Sequence, residues 1–442
     1  MRSELEAALG SPSDQELRFD VDWLTTDGGS GLEAASYGAL TIRAGDHDLT
    51  AVVDTIARTT RSSIRVSLHR LALWLAGNWW RQRWEPEPGE RPLSWRMAHE
   101  MGAIGGGFVW PSMTFASDGE QVHVATRASR REHTIRYLEN CDVVCSALSF
   151  ERGVDDFVSQ VLARQQDLGV TDSALGDTWQ AVRDERADPT SAAFRKREAM
   201  MGLDPGQVSA DDLERLFAKG AWIGAGALDE TLVETPMAGA DALLDRLEAL
   251  RQQSSPCLAY QGVLDAVASW TPASTYAAPW QRGAALAAHL RRHWGLGHEL
   301  ISDEFLSDAF GGDIHSEKLA LSGSPPFIAF REDGRLRPVL RHTHFATSRR
   351  FDIARLIGDA AVAEQADALS PLTRSRTARQ KFQRAAAQEL LCPVEGLVER
   401  VTLPVPDEDE LVEAAQYYQV SEHVVATTLV NHRLVSRDYL SS

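Results

Sequence analysis

The sequence predicts an α+β fold in three regions: an N-terminal α+β domain over residues 1–150, a helical region over 151–275, and a C-terminal domain over 279–442 that is mostly helical with a small sheet. Three observations lead there. Period-two alternation of apolar and polar residues is concentrated in the first third of the chain, and two short apolar runs joined by a turn lie near 327–340. From about Gly153 the apolar stripes have helical spacing. A polar, proline-containing stretch at Ser274–Pro279 then separates the middle from the last third.

At 442 residues the chain has material for two or three separate cores. Its charged and apolar fractions, 24% and 43%, are those of ordinary globular proteins and argue against wholesale disorder. The formal charge of −18 argues against holding nucleic acid by bulk electrostatics and leaves a local basic groove as the only such route. The four cysteines, Cys141, Cys145, Cys257 and Cys392, form no CxxC pair and no disulfide-like framework, which fits a reducing cytoplasm. The N-terminus lacks the apolar core of a signal peptide, and no apolar run is long enough to span a membrane. The expectation is a soluble cytoplasmic protein without a membrane partner.

In the first region Leu17, Phe19, Val21 and Trp23 alternate with polar neighbours. Ala39–Ile42 and Ile64–Leu68 repeat that period, and Leu49–Arg58 reads as a short strand or helix. His69–Trp84 has helical spacing, and the prolines and glycine of EPEPGERP end it. A helix is predicted over Ser94–Ala103. A hairpin follows, with strands at 108–116 and 121–126 joined at SDGE.

Six of the twelve tryptophans lie between Trp74 and Trp110, interleaved with Arg81, Arg83, Arg91 and Arg96. Rings that stack on bases beside guanidinium groups that meet phosphate make Trp79, Trp80, Arg81 and Arg83 a candidate nucleic-acid surface. Helically spaced tryptophans with compensating Glu85, Glu87, Glu90 and Glu100 also read as core. His99 and Glu100 are candidate catalytic residues, because a His–Glu pair can serve general acid–base chemistry. They do not start a zinc motif, since position 103 is Ala where a second histidine is needed. Gly105–Gly107 matches no phosphate-binding fingerprint and reads as a turn. Cys141-x-x-x-Cys145 reads as a pair of buried thiols, and no metal or other cofactor is expected.

The middle segments, among them DDFVSQVLARQQDLG, SAAFRKREAMMGLDP and DALLDRLEALRQQ, each carry an apolar stripe between a plausible cap and a Gly or Pro. In the last region PWQRGAALAAHLRRHWG and DEFLSDAFG read as two helices, and Phe327–Phe330 and Pro338–Leu340 as two strands joined by REDG. Two further helices are predicted within 346–393. One carries Phe351, Ile353, Ala354, Ile357 and Ala361 on its apolar face, and the other Phe382, Ala385, Ala386, Leu390 and Leu391.

RRFDIARLIGD and AAAQELLCP, with the closing DEDELVEAAQYYQVSEHVVATTLVNHRLVS, resemble the core of the ImmA/IrrE family of zinc peptidases. That resemblance covers the chain from about Pro279 onward and implies a zincin-like arrangement in a bacterial stress, regulatory or defence setting. In the family one helix carries HExxH and the next supplies a further metal ligand. The corresponding positions here are Arg355, Leu356 and Asp359, with Arg379, Gln380 and Phe382 on the second helix. Guanidinium does not ligate a cation and leucine is no general base, so active zinc peptidase chemistry is not expected.

Arg355 and Asp359 share a helix face by their spacing of four. With Arg379, Gln380 and Arg384 they form either a structural ion-pair cluster or a polar pocket for an anionic ligand. His342-Thr343-His344 puts two imidazoles on one side of a strand. Two functional readings follow. One is a regulatory or defence-associated sensor whose metal-free pseudo-peptidase domain binds a ligand, a protein partner or nucleic acid; the other is an enzyme acting on nucleic acid through the Trp/Arg-rich N-terminal domain. Oligomeric state is left open by the sequence.

Overall fold

The alternation in LRFDVDW builds the first strand, which buries Leu17 and Phe19 and turns Arg18 and Asp20 outward. The structure, a computed structural model, describes residues 15–26, 31–130, 133–170, 173–253, 257–272, 278–314, 320–321, 328–332, 335–341 and 346–436. The fold is α+β, with small sheets and many helices. The chain divides into two compact units, Pro12–Leu213 and Glu214–Ser442. The helical stretch expected as one region over 151–275 is therefore divided between them.

In the N-terminal unit β1 (Leu17–Trp23) pairs antiparallel with β2 (Tyr37–Ala44), which follows a short helix α1 (Leu32–Ala35). Strand β2 also pairs with β3 (His47–Asp48) and, further along the chain, with β6 (Ile64–Ser67). A second sheet joins β4 (Val52–Asp54) to β5 (Thr59–Arg61) and β9 (Ile135–Tyr137). The predicted hairpin is β7 (Ser112–Ser117) and β8 (Gln121–Arg127), and β10 (Cys141–Ser146) adds to β8.

Two helices replace the single one expected over His69–Trp84: α2 (Leu68–Gly77) and α3 (Trp79–Trp84). The break is at Asn78, whose side-chain amide donates to the Trp74 carbonyl at 2.8 Å and whose φ of −109° leaves the helical region. A short amide that bonds the preceding turn competes with the helix there. Helix α4 (Leu93–His99) follows the proline-rich loop, and after β10 come α5 (Ala147–Asp167), α6 (Ser173–Ala187) and α7 (Pro189–Met200). These last three share one core with the sheets, including Phe19, Leu40, Ile42, Phe150, Phe157 and Trp179, because their apolar stripes need the inner sheet faces as partners. Gly153 lets α5 lie against β1, since a Cβ there would sit 2.6 Å from the Leu17 carbonyl oxygen.

The C-terminal unit opens with helices that include α8 (Ala225–Leu232), α9 (Met237–Arg251) and α10 (Gln261–Ala268). Helices α11 (Pro279–His293) and α12 (Asp303–Ala309) lead to a four-stranded sheet of order β11-β13-β12-β14. Its strands are β11 (Ala320–Leu321), β12 (Ile328–Glu332), β13 (Arg335–Arg341) and β14 (Leu369–Pro371). Strand β14 has no counterpart in the sequence reading, being three residues that end in proline. The central helices α13 (Ala346–Val362) and α14 (Ala378–Leu391) pack on α11, and α15 (Glu408–Tyr418) and α16 (Glu422–Asn431) close the unit. Gly283 and Gly358 permit the close approach to α14: a Cβ on Gly283 would sit 2.4 Å from the Phe382 carbonyl oxygen, and one on Gly358 3.1 Å from the Gln383 Cα.

Candidate functional site

Helix α13 presents Arg355 and Asp359 one turn apart, and both face α14. Arg379 on α14 grips Asp359 with two parallel bonds, Nε to Oδ1 at 2.7 Å and Nη2 to Oδ2 at 3.1 Å, and reaches Asp367 through Nη1 at 2.8 Å. The side-chain amide of Gln383 donates to the same Asp359 oxygen at 2.6 Å. Arg355 donates through Nη2 to the Thr373 carbonyl at 2.8 Å and to the side-chain oxygens of Gln380 and Gln383 at 2.5 and 3.2 Å. Gln380 passes the chain on to Glu230 of α8, donating at 2.9 Å to the carboxylate oxygen that also accepts from Thr377 at 2.8 Å.

Most of this cluster is withdrawn from water: Asp359, Gln380 and Gln383 are fully buried and Arg355 nearly so, while the Arg379 side chain is 10% exposed. Burial alone works against each charge. At Asp359 that penalty is outweighed by Arg379, and the carboxyl is held below its ordinary range. Burial likewise works against the Arg379 cation, but the facing carboxylates hold it above its ordinary value. Glu230 goes the other way, pushed up by burial despite Arg379 and its two hydrogen bonds. Burial pulls Arg355 down. Arg384 is pulled down to about 10 by burial and by the like charge of Arg355, and it donates to the Ser375 carbonyl at 2.9 Å.

The structure thus brings together Arg355, Asp359, Arg379 and Gln380, and turns them toward one another rather than toward an opening. Both Asp359 oxygens are taken by arginine and amide donors, and Leu356, 1% exposed, belongs to the hydrophobic core. The arrangement ties α8, α13, α14 and the loop after β14 into one rigid body and offers neither a free base nor an open ligand set. A groove of ≈ 640 Å³ lies elsewhere on this unit, lined by Asp303, Thr347, Arg350, Gln416, Gln419 and His423 among others. His342-Thr343-His344 lies outside the described residues.

The N-terminal candidates are corrected by burial. Trp79 and Trp80 are 3% and 4% exposed and pack edge to face, so neither ring can stack on a base. Arg81 donates twice to Glu85, at 2.7 and 3.1 Å, and once to Asp204 at 3.0 Å. Arg83 donates to Glu151 at 2.5 Å and to the Gly119 carbonyl at 2.9 Å, and burial pulls it below its ordinary value. These four side chains are core and internal ion pairs, because the compensating carboxylates reach them from α5, from the segment after α7 and from the end of α3 itself.

His99 and Glu100 do not form a pair. The buried His99 ring stacks on Trp95 and bonds the Phe115 carbonyl at 2.8 Å and Glu85 at 2.9 Å, while Glu100 accepts from Arg96 at 3.0 Å. Neighbours in sequence diverge here because the helix ends between them, at His99. The carboxylate that matters to His99 is Glu85, marked in the sequence only by its spacing of four from Arg81. Glu230 and Asp367, which complete the C-terminal cluster, carry no such local signal.

The chain matches no protein-family model, no curated protein and no solved structure.

Proposed function

We propose that the C-terminal unit is a peptidase-like domain in which hydrolysis has been replaced by binding, and that the protein is a regulatory or defence-associated sensor in bacteria. The observation that carries this reading is the buried cluster of Arg355, Asp359, Arg379, Gln380 and Gln383. Its residues lie on two packed helices, at the positions that the resemblance in sequence aligns with the family's metal-holding residues. Two guanidinium groups and two amides surround the one carboxylate there, Asp359, whose oxygens their donors take up, and a core leucine stands where a water-activating glutamate would be needed. The order of helices α11 and α12, small sheet, α13, α14 and a closing helix pair supports the same kinship.

Binding is assigned to the open groove beside α13, α15 and α16, where Ala346, Val412, Ala415 and Val420 lie among polar and charged residues. The ligand is a small molecule, a protein segment or nucleic acid. The full chain, supplied with Zn²⁺ and unfolded casein, is expected to release no peptides. Cleavage that Asp359→Asn abolishes would overturn the reading. The setting is checked by the plating efficiency of phage on bacteria with and without the chain, where equal efficiency would remove a defence role.

A further inference from the structure

Three potential metal ligands from separate stretches of the N-terminal unit converge at its surface. His47, Glu139 and Cys141 each offer one ligand atom, and these atoms all lie within 4.8 Å of one another. His47 opens β3 opposite Ala44, in a tight hairpin whose Gly45 takes a φ of 57°. Glu139 follows β9, whose pairing is extended when the Leu138 amide donates to the Ala51 carbonyl at 2.9 Å. Cys141 begins β10 opposite Thr126. Each ligand residue is itself in a sheet ladder or directly follows a backbone bond to a strand, so three sheets fix the three Cα positions.

The carboxylates around this cluster are already satisfied, and that of Glu139 is not. Asp48 accepts from Arg43 at 2.6 Å and Asp142 from Arg127 at 2.9 Å. None of the three converging ligand atoms has a hydrogen-bond partner among the described residues. We propose that His47, Glu139 and Cys141 form a three-ligand site for a divalent transition metal, of which Zn²⁺ fits the donor set best.

A neutral imidazole, a carboxylate and a thiolate together carry the two negative charges that a divalent cation balances. The thiolate selects against Mg²⁺ and Ca²⁺, which take oxygen ligands. Zinc bonds of about 2.0–2.3 Å require the ligand atoms to close to roughly 3.3–3.8 Å in a tetrahedron. Rotation of the exposed His47 and half-buried Glu139 side chains supplies that movement. Burial, reinforced by Glu139 and Asp142 and opposed by Arg127, pushes the Cys141 thiol up, and a bound cation reverses that balance. The fourth position is left to water or a small ligand. Metal there would tie the three sheets together.

The test is titration of the metal-stripped full chain with Co²⁺ and then Zn²⁺. A thiolate-to-cobalt charge-transfer band that Zn²⁺ displaces at one equivalent is expected. Cys141→Ser should abolish the band, His47→Ala should weaken binding at least tenfold, and Cys257→Ser should leave both unchanged. His47 is exposed, so His47→Ala reports on the site even where the half-buried cysteine variant fails to fold. No thiolate band in the full chain, or a band that survives His47→Ala at undiminished affinity, or one lost in Cys257→Ser, would overturn the site.

Discussion

Arg81 in the N-terminal unit and Arg379 in the C-terminal unit are both arginines largely withdrawn from water and held by two carboxylates, and they differ in how the cluster ends. Arg81 takes Glu85 from its own helix, four residues on, and its second carboxylate, Asp204, is 57% exposed. Arg379 takes Asp359 and Asp367, both at 0% exposure, and the cluster continues through Gln383 and Gln380 to a buried Glu230. One network has a solvated end into which charge can relax; the other is more nearly closed, its outlet being Asp352, 24% exposed and 3.7 Å from Arg355. A closed network loses the full desolvation energy of whichever charge is left behind, so its members are less replaceable.

The largest effect that tests this contrast is expected for Asp359→Ala. It leaves Arg379 beside one carboxylate instead of two and the Gln383 amide with only its 3.3 Å bond to the Pro371 carbonyl, at a cost of about 3–5 kcal/mol in urea unfolding. A loss under about 1 kcal/mol would show that water reaches the site and that the network is open. Next comes Gly283→Ala. A helical Gly→Ala change is worth about 1 kcal/mol in its favour, but the new methyl meets the Phe382 carbonyl oxygen, which is backbone and cannot rotate away. Overpacking of about 1–3 kcal/mol or more therefore wins, and the melting temperature should fall.

Arg81→Ala should cost less than Asp359→Ala, about 2 kcal/mol, because Glu85 keeps its bond to His99 and Asp204 returns to water. Equal losses for the two variants in the same denaturant series would erase the distinction between open and closed networks.

What was legible in the sequence follows the same division between local and distant partners. The spacing of four that joins Arg81 to Glu85, and the one that sets Arg355 and Asp359 on one face, can be read without a structure. So can the alternation that makes β1, since period two needs only neighbours. The bond from Gln380 to Glu230 spans 150 positions, and no local periodicity marks Glu230 as its partner. Strand β14 was invisible because Leu369–Pro371 is a strand only by its register with β12. The tryptophans misled in the opposite sense: their spacing with arginine is real, but Glu85, Glu151 and Glu185 reach them from positions up to 105 residues away and turn a surface pattern into core. His47, Glu139 and Cys141 share neither a spacing nor an element, and only the meeting of three sheets makes them a set.

The subtlest effect is in the pH dependence of the closed network, where two carboxyls work against each other. The Asp359 carboxyl is held low, so its contribution is present above the ordinary aspartate range and is lost as pH falls through the lowered value. The Glu230 carboxyl is raised by burial, so its contribution is present below the ordinary glutamate range and is lost as pH rises through the raised value. Glu230→Gln removes only the second. Both donors to Glu230, Thr377 and Gln380, meet the same oxygen, Oε2, which an amide oxygen can replace. The variant should match the wild type near pH 4 and become the more stable of the two as pH rises toward 7, measured by urea unfolding at each pH. A variant that instead loses stability steadily toward pH 7 would mean that attraction to Arg379 outweighs burial at Glu230, and the two carboxyls would then work in the same direction.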